Sequence, residues 1–153
     1  MRVQDIMVTE VKSCRPGTDL AAVTQIMWAN DCGALPVVDN GGKVIGMITD
    51  RDISIALWSK NRLPSDVVVS QVKPPVVYTC AAEDDIHAAL DTMQTRQVRR
   101  LPVVGKDGSL RGLLCLNDIA LNAKKQNALS YADVVKTLQA VCGHRMVRQA
   151  TAA

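Results

Sequence analysis

Leu35-Pro36-Val37-Val38 returns 66 residues later as Leu101-Pro102-Val103-Val104, and that offset holds along much of the chain. Gly46 recurs as Gly112, and Asp52-Ile53 as Asp118-Ile119, without a gap. Val11, Cys14 and Met27 likewise return as Val77, Cys80 and Met93. A repeat kept in one register restricts the architecture to copies of a single supersecondary unit packed on each other. Each unit is too small to bury its own apolar face. The two are therefore expected to meet about a pseudo-two-fold axis, leaving two related clefts in which function is to be sought.

The 153 residues suffice for about one domain's worth of core. A hydrophobic content of 48% and a charged content of 22% are ordinary for a globular protein, and a net charge of +3 is mild. That charge predicts neither a nucleic-acid polymer nor a membrane surface as partner. With no Phe, two Trp and two Tyr, the chain can hardly supply the rings on which single-strand binders stack bases. The core must be aliphatic. Five cysteines, an odd number without a CxxC pair, predict reduced thiols and a cytoplasmic protein. Met1 to Asp5 lacks an apolar signal core, and no apolar run approaches a membrane span.

Each repeat follows the order strand, helix, strand, strand, helix. In the first, Val11–Cys14 is extended and the Pro16-Gly17 turn leads to a helix over about 19–30, with Thr18 and Asp19 as candidate N-caps. Leu35–Val38 and Val44–Ile48 form a hairpin around Asp39-Asn40-Gly41-Gly42, and a helix follows from about Asp50 to Lys60. In the second, Val76–Thr79 is extended and Asp84 or Asp85 caps a helix bearing Ile86, Ala89, Leu90 and Met93. Leu101–Val104 and Leu110–Cys115 form the hairpin, before a helix from about Asn117 to Lys125. Lys73-Pro74-Pro75 separates the copies. The expected boundaries are 1–62 and 66–124 for the repeats, 130–143 for a C-terminal helix, and 144–153 for a frayed tail. In that helix Tyr131, Val134, Val135, Leu138, Val141 and Cys142 read as one apolar face, for internal packing or a dimer contact.

Gly46-Met47-Ile48-Thr49-Asp50-Arg51-Asp52 carries the clearest chemistry. A strand ends at Ile48, and Thr49 and Asp52 have capping-box spacing at a helix start. The same geometry offers free amides to a phosphate and a carboxylate to a ribose diol. In the second copy Cys115 replaces Thr49 while Asp118 remains, which weighs against capping as the whole account.

Two copies of the LPVV strand followed by G-h-h-T-x-x-D (h apolar), with the Asp5-Ile6-Met7 lead-in, resemble a tandem pair of cystathionine-β-synthase (CBS) domains over residues 1–124. Gln97 to Val104 is especially similar to small stand-alone bacterial members. The resemblance implies an α/β fold of two β-α-β-β-α repeats in pseudo-two-fold packing. It implies a regulatory nucleotide sensor, not an enzyme, with an adenine-containing ligand (AMP, ATP, NAD or S-adenosylmethionine) between the repeats and no required cofactor. By that resemblance Asp52 and Asp118 hold ribose, and Thr49 contacts phosphate. Ser13, Ala34, Leu35 and Pro36, with Thr79, Arg100, Leu101 and Pro102, border the base. Arg51, Arg99, Cys115 and Asn117 complete the candidate set. Cys115 is a poor phosphate partner, and Arg99 and Arg100 are expected to give the second cleft the more highly charged phosphate chain, unless they are a solvated pair.

Other signals are weaker. Gly41-Gly42-Lys43 lacks the Ser or Thr and the helix of a P-loop. Two histidines are too few for a histidine-based metal site, although Cys142 and His144 could contribute to a zinc shared across a dimer. Trp28 and Trp58 are assigned to core or interface. Cys14 and Cys80 are expected near the pseudo-axis, where a thiol pair could sense oxidation, with buried apolar packing as the alternative. A homodimer is expected, its downstream partner unspecified. The competing functions are a ligand-independent dimerisation scaffold and a thiol redox sensor.

Overall fold

The computed structural model describes residues 1–72, 76–124 and 128–143. The Lys73-Pro74-Pro75 break, the expected helix end at Lys125 and the tail from His144 lie outside the described residues. The first repeat contains α1 (Leu20–Ala29), β1 (Ala34–Val38), β2 (Val44–Thr49) and α2 (Asp50–Lys60). The second contains β3 (Cys80–Ala81), α3 (Ile86–Arg96), β4 (Arg100–Val104), β5 (Leu110–Cys115) and α4 (Leu116–Asn122), and α5 (Tyr131–Cys142) follows. β1 and β2 are antiparallel, as are β4 and β5, with β3 parallel to β4. Even the irregularity is duplicated, since the register shifts between Val37 and Val38 and again between Val103 and Val104.

The leading strands are shorter than the sequence predicts. Of Val11–Cys14 only Cys14 bridges to β1, at Val37, and the paired strand of the second repeat begins at Cys80, after the expected Val76–Thr79 segment. Of the two candidate caps for α1, Asp19 takes the role, accepting from the Ala22 amide at 2.8 Å, while Thr18 Oγ1 accepts from the Arg15 amide. Asp85 caps α3 through the His87 amide, and Asp84 instead accepts from the Ala81 amide.

The pseudo-two-fold axis is visible in the hydrogen bonds. Lys43 bridges to Ser109, its own counterpart 66 residues on, which only residues beside such an axis can do. The Val44 amide donates to the Gly108 carbonyl, and the Leu110 amide to that of Gly42, two bonds that exchange under the offset. Gly42 and Gly108 both carry the positive φ, 78° and 80°, that these hairpin turns need.

The segments leading into the repeats are exchanged. Val3 and Gln4 donate to the carbonyls of Asp84 and Ala82, and the Ile86 amide to that of Met1. The counterparts hold too: Val69 and Ser70 donate to Thr18 and Pro16, and Leu20 to Val67. Val3 is therefore buried in the second repeat's core, with Ile86, Leu90, Met93, Leu101 and Leu114. Val67 and Val69 are buried in the first, with Leu20, Val23, Leu35 and Ile48. Gly112 lets the first lead-in lie close, because a side chain there would meet the Val8 carbonyl at 2.7 Å.

Three further expectations are corrected. Cys14 and Cys80 belong to separate cores and do not form a pair near the axis. Trp28 and Trp58 are each 89% exposed, which overturns the core reading and leaves the interface one untested. The apolar residues of α5 divide between two faces. Thr137 and Val141 are buried and Val134 packs on the second core, whereas Tyr131, Val135, Leu138 and Cys142 are exposed. Thr137 is buried without penalty because Gln94 Nε2 donates to its Oγ1 at 2.9 Å.

Candidate functional site: the duplicated strand–helix junctions

Where β2 runs into α2, the chain passes from extended to helical at Thr49, leaving the first amides of the helix without carbonyl partners. Thr49 and Asp52 close that end reciprocally. The Asp52 amide donates to Thr49 Oγ1 at 3.2 Å, while Asp52 Oδ2 accepts from the Thr49 amide at 2.9 Å and from its hydroxyl at 2.7 Å. At the β5–α4 junction Asp118 Oδ2 accepts from the Cys115 amide at 2.7 Å. Retention of Asp118 beside a cysteine is thus explained by the backbone bond alone. Capping therefore suffices for Asp118, contrary to the expectation drawn from the loss of the threonine.

The adjoining hairpin strands place the other candidates. Ala34 is the register partner of Thr49, and Arg100 that of Cys115. The Asp50 amide donates to Gly33, and the Leu116 amide to Arg99, tying each helix start to the residue before its LPVV strand. Ala34, Leu35, Pro36, Leu101 and Pro102 are buried; Ser13 is half-buried and Thr79 exposed. Leu35 and Leu101 belong to the two cores, which leaves their main chain for any contact with a bound molecule. Arg51 and Asn117 are exposed on the first turns of α2 and α4.

The two arginines have different neighbours, Arg99 lying in the bend before β4 and Arg100 starting the strand. Arg99 Nη2 lies 3.9 Å from Cys142 Sγ, on α5. Arg100 lies within hydrogen-bonding reach of the thiol of Cys115, its register partner, and a methyl group placed on Gly33 of the first repeat would lie 3.6 Å from its Nη2. Arg99 and Arg100 thus meet different neighbours. Nothing in the sequence signals that crossing, because Ala34, the counterpart of Arg100, makes no matching reach.

Burial pushes the Cys115 thiol up to about 11, aided by the nearby Asp118 carboxylate and opposed by Arg100. Burial likewise raises Cys14 to about 11 and Cys80, next to Asp84, to about 12. These thiols are poor nucleophiles near neutral pH. Among the described residues no group of three or more His, Cys, Asp or Glu is placed to hold a metal ion, and no helix is long and apolar enough to cross a membrane. Two surface hollows, of about 480 and 450 Å³, lie beside α3 and α1, and Thr79 is the only candidate residue that lines either.

The CBS-domain family model matches residues 3–59 and again 67–124. The chain belongs to the CBS-domain family. It is 32% identical over 120 residues to the CBS domain-containing protein YhcV of Bacillus subtilis, covering 78% of this chain and 84% of that one. To Hypoxic response protein 1 of Mycobacterium tuberculosis it is 30% identical over 139 residues, covering 91% and 92%. Inosine-5'-monophosphate dehydrogenase of Methanocaldococcus jannaschii is 29% identical over 143 residues, and this chain spans only 27% of that enzyme.

Among solved structures, a conserved CBS domain protein of unknown function from Thermoplasma acidophilum superposes with a TM-score of 0.78 at 24% identity, over 92% of this chain and 75% of that one. Hypoxic Response Protein I, solved with two coordinated zinc ions, gives 0.73 at 31%, over 81% and 100%. The CBS domain pair of protein MJ0100, in complex with 5'-methylthioadenosine and S-adenosyl-L-methionine, gives 0.72 at 21%, over 79% and 94%. The two-repeat α/β CBS architecture is thereby shown.

Proposed function

We propose that this CBS pair is a non-catalytic regulatory module that binds an adenine-containing ligand at its two strand–helix junctions. One observation carries the reading. At both junctions the helix-start amide is received by Oδ2 of the carboxylate, from Thr49 at Asp52 and from Cys115 at Asp118, so Oδ1 is not used for that bond. Each aspartate can therefore start its helix and still receive a ribose diol. The adenosyl compounds held by the MJ0100 pair support the same ligand class. Ala34–Pro36 with Ser13, and Arg100–Pro102 with Thr79, border the base; Thr49 and Arg51, or Cys115 and Asn117, lie toward the 5' substituent. A ligand that prefers one arrangement of the repeats stabilises that arrangement and passes the change to a partner protein. Free thiols at all five cysteines fit a cytoplasmic setting.

Calorimetric titration with AMP, ATP, NAD and S-adenosylmethionine tests this. Binding of at least one is expected, with Asp52→Ala and Asp118→Ala each abolishing one site in a folded protein. Absence of binding by all four favours a scaffold.

A second reading, compatible with the first, is a homodimer. α5 packs across α3 and α4, whereas Trp28 on α1 and Ile55 and Trp58 on α2 remain exposed. Light scattering should show a dimer that Trp28→Ser with Trp58→Ser dissociates. The redox reading gains no support, because Cys14 and Cys80 lie in separate cores.

A further inference from the structure

The two junctions differ most in their charges. A methyl group on Gly33 would lie 2.9 Å from Asp50 Oδ2 as well as 3.6 Å from Arg100 Nη2. A carboxylate of the first repeat and a guanidinium of the second thus converge over one glycine, beside the Ala34–Thr49 pair. The offset does not reproduce this arrangement. It converts Gly33 into Arg99, Ala34 into Arg100 and Asp50 into Leu116. An alanine methyl cannot span the axis as Arg100 does, and Leu116 carries no charge. Nor is Asp50 needed as the helix cap, since Thr49 and Asp52 already fill that role. Its Oδ1 accepts from the Arg51 amide at 2.7 Å, which fixes the carboxylate with Oδ2 toward Gly33.

We infer that Asp50 and Arg100 together select the charge of the ligand's 5' substituent at the first junction, favouring a nucleoside or nucleoside monophosphate over a triphosphate. The inference rests on the adenine-ligand reading and adds a chemical class to one of its two sites. Beside the charge of Arg51 on the first turn of α2, Arg100 supplies a positive charge that reaches across from the second repeat. Asp50, fixed beside it, offsets most of that field for an arriving anion and repels each additional phosphate. Gly33 is what allows the two groups to approach, because any larger side chain there would have to displace the carboxylate. At the second junction Leu116 imposes no such limit, so the two sites differ in ligand charge as well as in hydroxyl content.

The test is calorimetric titration of the full chain with adenosine, AMP and ATP, for wild type, Asp50→Asn and Arg100→Gln. Melting temperatures serve as the folding control, and Asp50→Ser replaces Asp50→Asn should the latter misfold. Asp50→Asn should strengthen ATP binding roughly tenfold, an effect that shrinks at high salt, and leave adenosine unchanged. Arg100→Gln should weaken AMP and ATP by a larger factor than adenosine. If the ligands bind but Asp50→Asn leaves the ratio of ATP to adenosine affinity unmoved, the charge inference fails and the adenine reading stands. If wild type binds none of the three, both fail.

Discussion

Asp52 and Asp118 each have two neighbours to satisfy, the exposed amides of a helix start and, on the reading above, a sugar. The local bonding separates these roles. Thr49→Ala removes the hydroxyl bonds but keeps the Asp52 bond to the backbone amide, a bond that Asp118 also makes at Cys115. Urea unfolding should show a loss of about 1 kcal/mol, not collapse. The thiols give a second expectation at this scale. Iodoacetamide at pH 8 should modify the exposed Cys142 readily and leave the buried Cys14 and Cys80 intact until the chain unfolds. Mass spectrometry that finds Cys14 or Cys80 labelled in the native protein would contradict their placement. The paired residues were legible in the sequence because duplication displays each of them twice. The crossing of Arg100 was not, since a contact made in one direction only leaves no echo 66 residues away.

α5 is held to the second repeat by side chains as well as by apolar packing. His87 of α3 lies 3.1 Å from Asp85 through Nδ1 and 3.7 Å from Asp133 of α5 through Nε2. The Ser130 hydroxyl and amide, with His87 further off, hold the Asp133 carboxyl below its ordinary value of 3.8. A depressed carboxylate favours the folded form above the unfolded pKa, and that contribution disappears as pH falls through the folded one. Acidification from pH 5 to below pH 3 should therefore release the start of α5. Amide exchange there should accelerate, and Asp133→Asn should remove the pH dependence. The strands and helices were largely readable from apolar pattern and turn chemistry. The leading strands are displaced because four-residue segments carry too little periodicity to say which residue meets a neighbour. In α5 the difficulty was a polar residue: Thr137 faces inward to meet Gln94, and the apolar pattern cannot anticipate that.

At the scale of the molecule, the repeats as read along the chain are not the units that pack. Val3 completes the core of the second repeat, and Val67 and Val69 that of the first. Val3→Ala should therefore destabilise the protein by about 1–3 kcal/mol, with the loss of exchange protection appearing first in α3 and β4 and not in α1. Protection lost first in the helices of the first repeat would contradict the exchange. The duplication predicted two halves about an axis, but not which half each lead-in would join, because both choices place the same apolar residues under cover. A single copy of this unit that traded its opening segment with an identical neighbour would seal its interior by the same contacts, and the bridge between Lys43 and Ser109 would then lie where the two molecules meet.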